Sequence, residues 1–346
     1  TAPRVGTGNI VGVSSAICIG GFGSVFWMWV IAIIGSASAL IESTLAQIYK
    51  KKGEDGSCYG GPAYYIEAAL HCRPLAIVFC VAMILTYAFG FNMLASYNLQ
   101  STFSGQPFYN AEITPWIIGG ILALVTGWCL LGGGSRIVKV TSMVVPVMGI
   151  AYIGISLLVV IINIQNVPAM FVRIFEEAFD FKAIFAGFAG SAMMQGIRRG
   201  LYSNEAGIGS APNAAASAMV SHPVKQGLVQ MLSVFIDTLL LCTATAMMCL
   251  GSGVTPAKEL QGAPWVQAAL HKTLGSFGPY FIMIAMVLFA FTTLLGNCFY
   301  CDNLLTYILK KQPGKKFMTG FRLVSALVVF LGAGMEMTLL WHISDV

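Results

Sequence analysis

Seven stretches of this chain, at 24–47, 74–98, 113–131, 139–162, 225–250, 277–300 and 317–340, stay apolar for about twenty residues or more. That pattern decides the class, because a helix needs about 20 apolar residues to cross hydrocarbon and satisfies its own backbone there. A transmembrane barrel would instead show short segments of alternating polarity. Composition agrees: 57% of residues are hydrophobic, only 10% are charged, and mean hydropathy is +0.79, whereas about a quarter of a soluble domain is charged. The expectation is an all-α polytopic membrane protein.

The charges test the topology. With the start of the chain cytoplasmic and each run crossing, fifteen of the nineteen Lys and Arg fall on the cytoplasmic side. Only Arg173, Lys182, Lys258 and Lys272 fall outside, as the positive-inside rule requires. The net charge of +5 is thereby explained as topology, with no need of a nucleic-acid partner. The longest connections, near 48–73, 198–224 and 251–276, are too short for a soluble domain. No signal peptide is visible, and the absence of an initiator Met at Thr1 leads us to expect a missing N-terminal portion.

The nine cysteines are odd in number and mostly sit inside apolar runs. The one CxxC, Cys298 to Cys301, lacks a second pair, nearby histidines or a redox-fold context. Packing is its expected role. No zinc cluster and no Ser/His or paired-Asp arrangement appears in the apolar runs, so an enzyme is not expected.

Two further apolar runs, 9–20 and 183–197, are too short to cross alone. They are the first and sixth of nine, so each opens a set, and the odd separation makes the second set run through the membrane in the opposite sense. Interrupted segments at matching places in two inverted halves point to a secondary transporter with its site at the breaks. The division expected is 1–162 for the first repeat, 163–182 for an outer connection and 183–346 for an incomplete second repeat.

In the first short run, RVGTGN combines glycines with unpaired polar groups. An unwound stretch survives at membrane depth only where protein or a wet cavity covers it. Amides at its helical start suit a carboxylate, and carbonyls before the break suit a cation. Close glycine packing, the alternative, is expected to explain Gly20 to Gly23 and Gly132 to Gly134. Among ionisable residues inside runs, Glu42 could accept bonds from freed backbone or snorkel to the interface, and Asp237 sits near mid-span. Asp237 either bonds a neighbouring Thr or helix backbone or takes part in cation coupling. Glu336 is expected near the outer interface, and Asp302 near the inner end of its span. Thr292 and Thr293 follow Phe289 by three and four residues, so both hydroxyls and that carbonyl share a helix face suited to Na⁺.

The motifs RVGTGNIVGVSSAI, GGPAYYIEAAL, GIRRGLYSNEAGIGSAPNAAA, VFIDTLLLCTATA and LFAFTTLLGN, in this order, closely resemble the alanine/glycine:cation symporter family, also called sodium:alanine symporters. The resemblance implies a LeuT-type fold of two inverted five-helix repeats with broken first and sixth helices, truncated here at both ends. It also implies Na⁺-coupled symport of small neutral amino acids across the plasma (inner) membrane, with Na⁺ as coupling ion and no other cofactor. It puts the substrate carboxylate on amides at Thr7 and Gly8, and Na⁺ between the carbonyls of Ala2 and Val5 and the group of Phe289, Thr292 and Thr293. It puts backbone near Gly187 to Gly190 on the amino group, and SNEAGIGS on the cytoplasmic side with Glu205 in a structural or gating role.

Two positions depart from the family. In FGFNMLASYNL, where Asn92 is a further candidate pocket residue, Ala95 stands where members often carry Gln, and Asn297 stands where some carry Trp. A roomier or differently polar pocket opens glutamine or serine as alternative substrates, and Asp237 opens H⁺ coupling. A non-transporting amino-acid sensor is the alternative from another class.

Overall fold

A computed structural model describes residues 4–53, 58–180, 191–336 and 339–341. Nearly everything in it is helix. Among the described residues seven helices are long and apolar enough to span a membrane: α2 (Ser24–Ile48), α4 (Arg73–Ser101), α5 (Thr114–Leu131), α6 (Gly133–Ile162), α10 (Pro223–Gly251), α12 (Phe277–Leu309) and α13 (Lys315–Ala333). Between them lie α1 (Gly8–Gly20), α3 (Pro62–Leu70), α7 (Val167–Ala178), α8 (Ala192–Asn204), the single turn α9 (Ala211–Ala215) and α11 (Ala263–Leu274). The two-residue strands β1 (Lys51–Lys52) and β2 (Cys58–Tyr59) pair antiparallel after α2. Leu124, Met143 and Ile150 are each about three-quarters exposed. Such side chains face outward because lipid is as apolar as they are.

Two groups of helices pack internally. In one, α2 lies against α8 and α10, and α1 lies against α8. In the other, α13 packs on α4 and α5, and α12 on α4 and α6. Small residues set the close crossings: a Cβ on Gly119 of α5 would stand 2.6 Å from Ala333 Cβ of α13. Gly20 and Gly23 pack in the same way, against Gln195 and Ala178. Gly132 to Gly134 do not. Gly133, at φ 78°, turns the chain from α5 into α6 and has open space where a side chain would be, so these glycines serve a tight turn rather than a packing surface.

Three of the helices widen into π-helical turns, at Gly8–Gly12, Leu85–Gly90 and Ile236–Cys242. A π turn adds a residue without changing composition, and such turns concentrate at functional sites. The first and third pack on each other and on α8, beside the break described next.

Candidate functional site

The first break is built on Asn9. Its Oδ1 accepts from the Gly6 amide at 2.8 Å, which holds the unwound chain against the start of α1. Its Nδ2 donates to Asp237 Oδ1 at 2.7 Å, and its carbonyl accepts from Thr245 Oγ1 at 2.7 Å. Tyr152 OH lies 2.7 Å from the same hydroxyl. Asn9, Asp237 and Thr245 are fully buried, so each of these bonds satisfies a group that would otherwise cost free energy at membrane depth. Thr7 and Gly8 follow the break at the helix start, where the first amides have no acceptor within their own helix.

The sequence places the second break near Gly187 to Gly190, ahead of the point where the described residues resume at Ser191. Helix α8 runs on to Asn204, and the chain then unwinds through Glu205, Gly207 and Gly209, all at positive φ, before α9 begins at Ala211. SNEAGIGS begins beside the first break: a Cβ on Gly8 would stand 2.9 Å from Ser203 Cα. Gly187 and Gly190 lie outside the described residues. The charge bias counts Arg199 among the cytoplasmic cations, yet it is only 4% exposed, its guanidinium 3.7 Å over the Trp341 ring.

Asp237 joins the two breaks. One carboxylate oxygen takes Asn9 and the other takes Ser203 Oγ at 2.9 Å, with Thr238 Oγ1 at 3.4 Å. Glu42 Oε1 accepts from the Gly207 amide at 3.3 Å. Glu205 Oε2 accepts from Ser210 Oγ at 2.9 Å and from Tyr300 OH of α12 at 3.1 Å. Glu336 is exposed at the end of α13, and Asp302 pairs with Arg322 at 2.8 Å.

A narrow space of about 10 Å³, on the scale of one water, remains where the breaks meet. Gly6, Thr7 and Gly8 line it from one side, Tyr202, Ser203 and Glu205 from another, and Phe91 and Thr293 from the facing helices. Arg4 also lines it and is 2% exposed. Its Nη1 donates to Gln230 O at 2.8 Å and to Ser233 Oγ, while Nε and Nη2 find no partner among the described residues. The charge tally had treated Arg4 as a loop cation. The charge of Glu205, in the same lining, offsets part of the hydration the guanidinium loses.

On α12, Thr292 and Thr293 both donate to Phe289 O, at 3.1 and 2.8 Å. A hydroxyl whose proton is turned into its own helix keeps its lone pairs for an incoming cation. Thr293 faces the break, and Val5 and Phe289 share the buried core. Ala2 lies outside the described residues. Among those described, no three His, Cys, Asp or Glu side chains could hold a metal together, so any ion here meets mainly neutral oxygens. Asn297 Nδ2 donates to Asn92 Oδ1 at 3.0 Å across α12 and α4, and Ala95, one turn on, is fully buried. Neither Ala95 nor Asn297 lines the narrow space. Cys298 and Cys301 are buried free thiols.

The sequence missed Tyr202, Ser203, Phe91 and Tyr300. The signal for the unwinding after α8 was present: like RVGTGN, SNEAGIGS spaces two glycines one residue apart beside Asn and a charged residue.

Comparison with known proteins fits this geometry. The solved structure of MhsT in complex with L-phenylalanine superposes with TM-score 0.63 at 13% identity, over 96% of this chain and 76% of that one. The shared architecture is the LeuT-type fold. "Probable sodium/glutamine symporter GlnT" of Bacillus subtilis is 43% identical over 99% of this chain and 70% of that protein. "Sodium/alanine symporter AgcS" of Methanococcus maripaludis is 36% identical over 99% and 76%. A family model described as the sodium:alanine symporter family matches residues 1–346. The chain is a multi-pass membrane transporter and not an enzyme, and it belongs to the sodium:alanine symporter family of Na⁺-coupled amino-acid symporters.

Proposed function

We propose that this symporter carries small neutral amino acids of the alanine and glycine class into the cytoplasm across the plasma membrane, with its first residues on the cytoplasmic side. Alternating access would come from rocking the α1, α2, α8 and α10 group against the α4, α5, α12 and α13 group. The observation that carries this reading is the contact of two broken segments, Gly8 against Ser203, with Thr293 across from them. In it the amides of Thr7 and Gly8 receive the substrate carboxylate, and the oxygens of Val5, Phe289, Thr292 and Thr293 receive Na⁺. The expected repeat boundary remains at 162–183.

The test is uptake of labelled alanine into proteoliposomes under an inward Na⁺ gradient, with glycine, serine and glutamine as competitors. Thr293→Ala should weaken the apparent Na⁺ affinity on the order of tenfold, the loss expected for one oxygen facing a charge. Unchanged Na⁺ dependence would remove Thr293 from the site. A proton gradient that replaces the Na⁺ gradient would favour H⁺ coupling, and binding without accumulation would favour a sensor.

A second reading, a glutamine or serine preference, is favoured by the Asn92–Asn297 pair. Asn297 Oδ1 is buried with no partner among the described residues, so it suits a substrate side chain that donates. Stronger competition by glutamine than by glycine would support it.

A further inference from the structure

At the basic end of the molecule, which the charge bias assigns to the cytoplasm, the short hairpin, α3, the start of α4 and the last turn of α12 enclose a cavity of about 360 Å³. Lys51 enters from β1, Arg73 opens α4, and Lys310 ends α12 in a left-handed conformation. The Lys51 ammonium stands 5.9 Å from the Tyr64 ring and the Arg73 guanidinium 6.0 Å from the Tyr307 ring. Among the described residues Glu67 is the one carboxylate in the lining, and it already accepts from Tyr307 OH at 2.6 Å. Three cations against one carboxylate make the described lining positive.

Tyr64 supplies the second observation. It lines the cavity and is 7% exposed, and its hydroxyl is buried with no partner among the described residues. Burial pushes its phenol above the ordinary tyrosine range, so it stays protonated and can only add a donor toward an anion. A neutral or cationic ligand would leave the positive field uncompensated. An anion with several acceptor oxygens uses both the charges and the hydroxyl.

We propose that this cavity binds a phosphate group, held by Lys51, Arg73, Lys310 and the Tyr64 hydroxyl. The shared chemistry admits two sources, an anionic phospholipid headgroup and free phosphate. Because the cations come from both halves of the chain, occupancy ties the hairpin and α4 to the end of α12. It stabilises whichever arrangement of the cycle keeps them together.

The test uses the full chain, purified in detergent, with thermal unfolding followed against added phosphatidylglycerol, phosphatidylcholine or inorganic phosphate. Lys310→Gln, an exposed site, and Tyr64→Phe are compared with the parent. Protection by phosphatidylglycerol but not phosphatidylcholine, weakened about tenfold in apparent affinity by Lys310→Gln, supports the headgroup. Protection by inorganic phosphate with the same loss supports the free anion. No protection by either, or protection equal in both variants and the parent, overturns the site and leaves the cluster a packing feature. Na⁺-driven uptake can fail independently, so the two readings are separable.

Discussion

Asp237 carries more of the site than any other single residue, because its two oxygens accept from opposite breaks, Asn9 on one and Ser203 on the other. What this arrangement needs is two acceptors in fixed places, and an asparagine can approximate them. Its oxygen can face Asn9, and its amide can donate to the Ser203 hydroxyl, which accepts as readily as it donates. Alanine leaves both partners buried without a bond, at about 1–3 kcal/mol each. Asp237→Asn is therefore expected to keep Na⁺-driven uptake within a few-fold of the parent, and Asp237→Ala to lose at least tenfold together with thermal stability. If the Asn variant folds normally and transports no better than the Ala variant, Asp237 acts through its charge and belongs to ion coupling. Its location near mid-span was legible in the sequence, since an acid deep in an apolar run cannot snorkel out. Its partners were not, because Asn9 and Ser203 approach only once two distant segments unwind side by side.

The elements divide along the same line. Every long helix could be read from apolar length, because crossing hydrocarbon demands it. The π-helical turns could not, since a wide turn uses the same residues as a narrow one. Nor could the unwinding after α8, since Arg198 and Arg199 resemble the end of a span, yet Arg199 folds inward onto Trp341 and the helix runs on to Asn204. The unwound stretch between α8 and α9 makes a ranked prediction. Gly207 and Gly209 both have φ near +80°, a region that costs an L-residue about 1–2 kcal/mol. A Cβ on Gly207 would meet Ser38 at an ordinary 3.4 Å, whereas one on Gly209 would come within 2.9 Å of the Phe79 ring and 3.1 Å of Pro62. Gly209→Ala should lower the unfolding temperature more than Gly207→Ala, and both should slow uptake. Equal effects would mean that backbone strain alone matters there. At the first break, Gly8→Ala sets a side chain against Ser203 backbone, which cannot rotate away. Uptake should fall by more than tenfold at unchanged membrane level, and retained uptake would show that the breaks part readily.

At the scale of the whole molecule the two breaks have to separate if a substrate is to enter, since the space between them holds about one water. A reporter is already in place. Cys242 is 3% exposed, with its sulfur 3.2 Å from Ser203 Oγ and 3.5 Å from Asn9 Nδ2, so it lies at the junction of α1, α8 and α10. In a variant in which the other eight cysteines are replaced by Ser or Ala, maleimide can reach this thiol only when the junction opens. If ion and substrate draw the breaks together, they bind the closed arrangement better than the open one, and the population shifts by that difference in affinity. Labelling of Cys242 should then be slow with Na⁺ and alanine together and several-fold faster when either is withdrawn, with choline replacing Na⁺. A rate that ignores both ligands would mean that the Asp237 network stays shut throughout the cycle. Access would then have to open elsewhere, between Thr293 and the α4 face that carries Phe91.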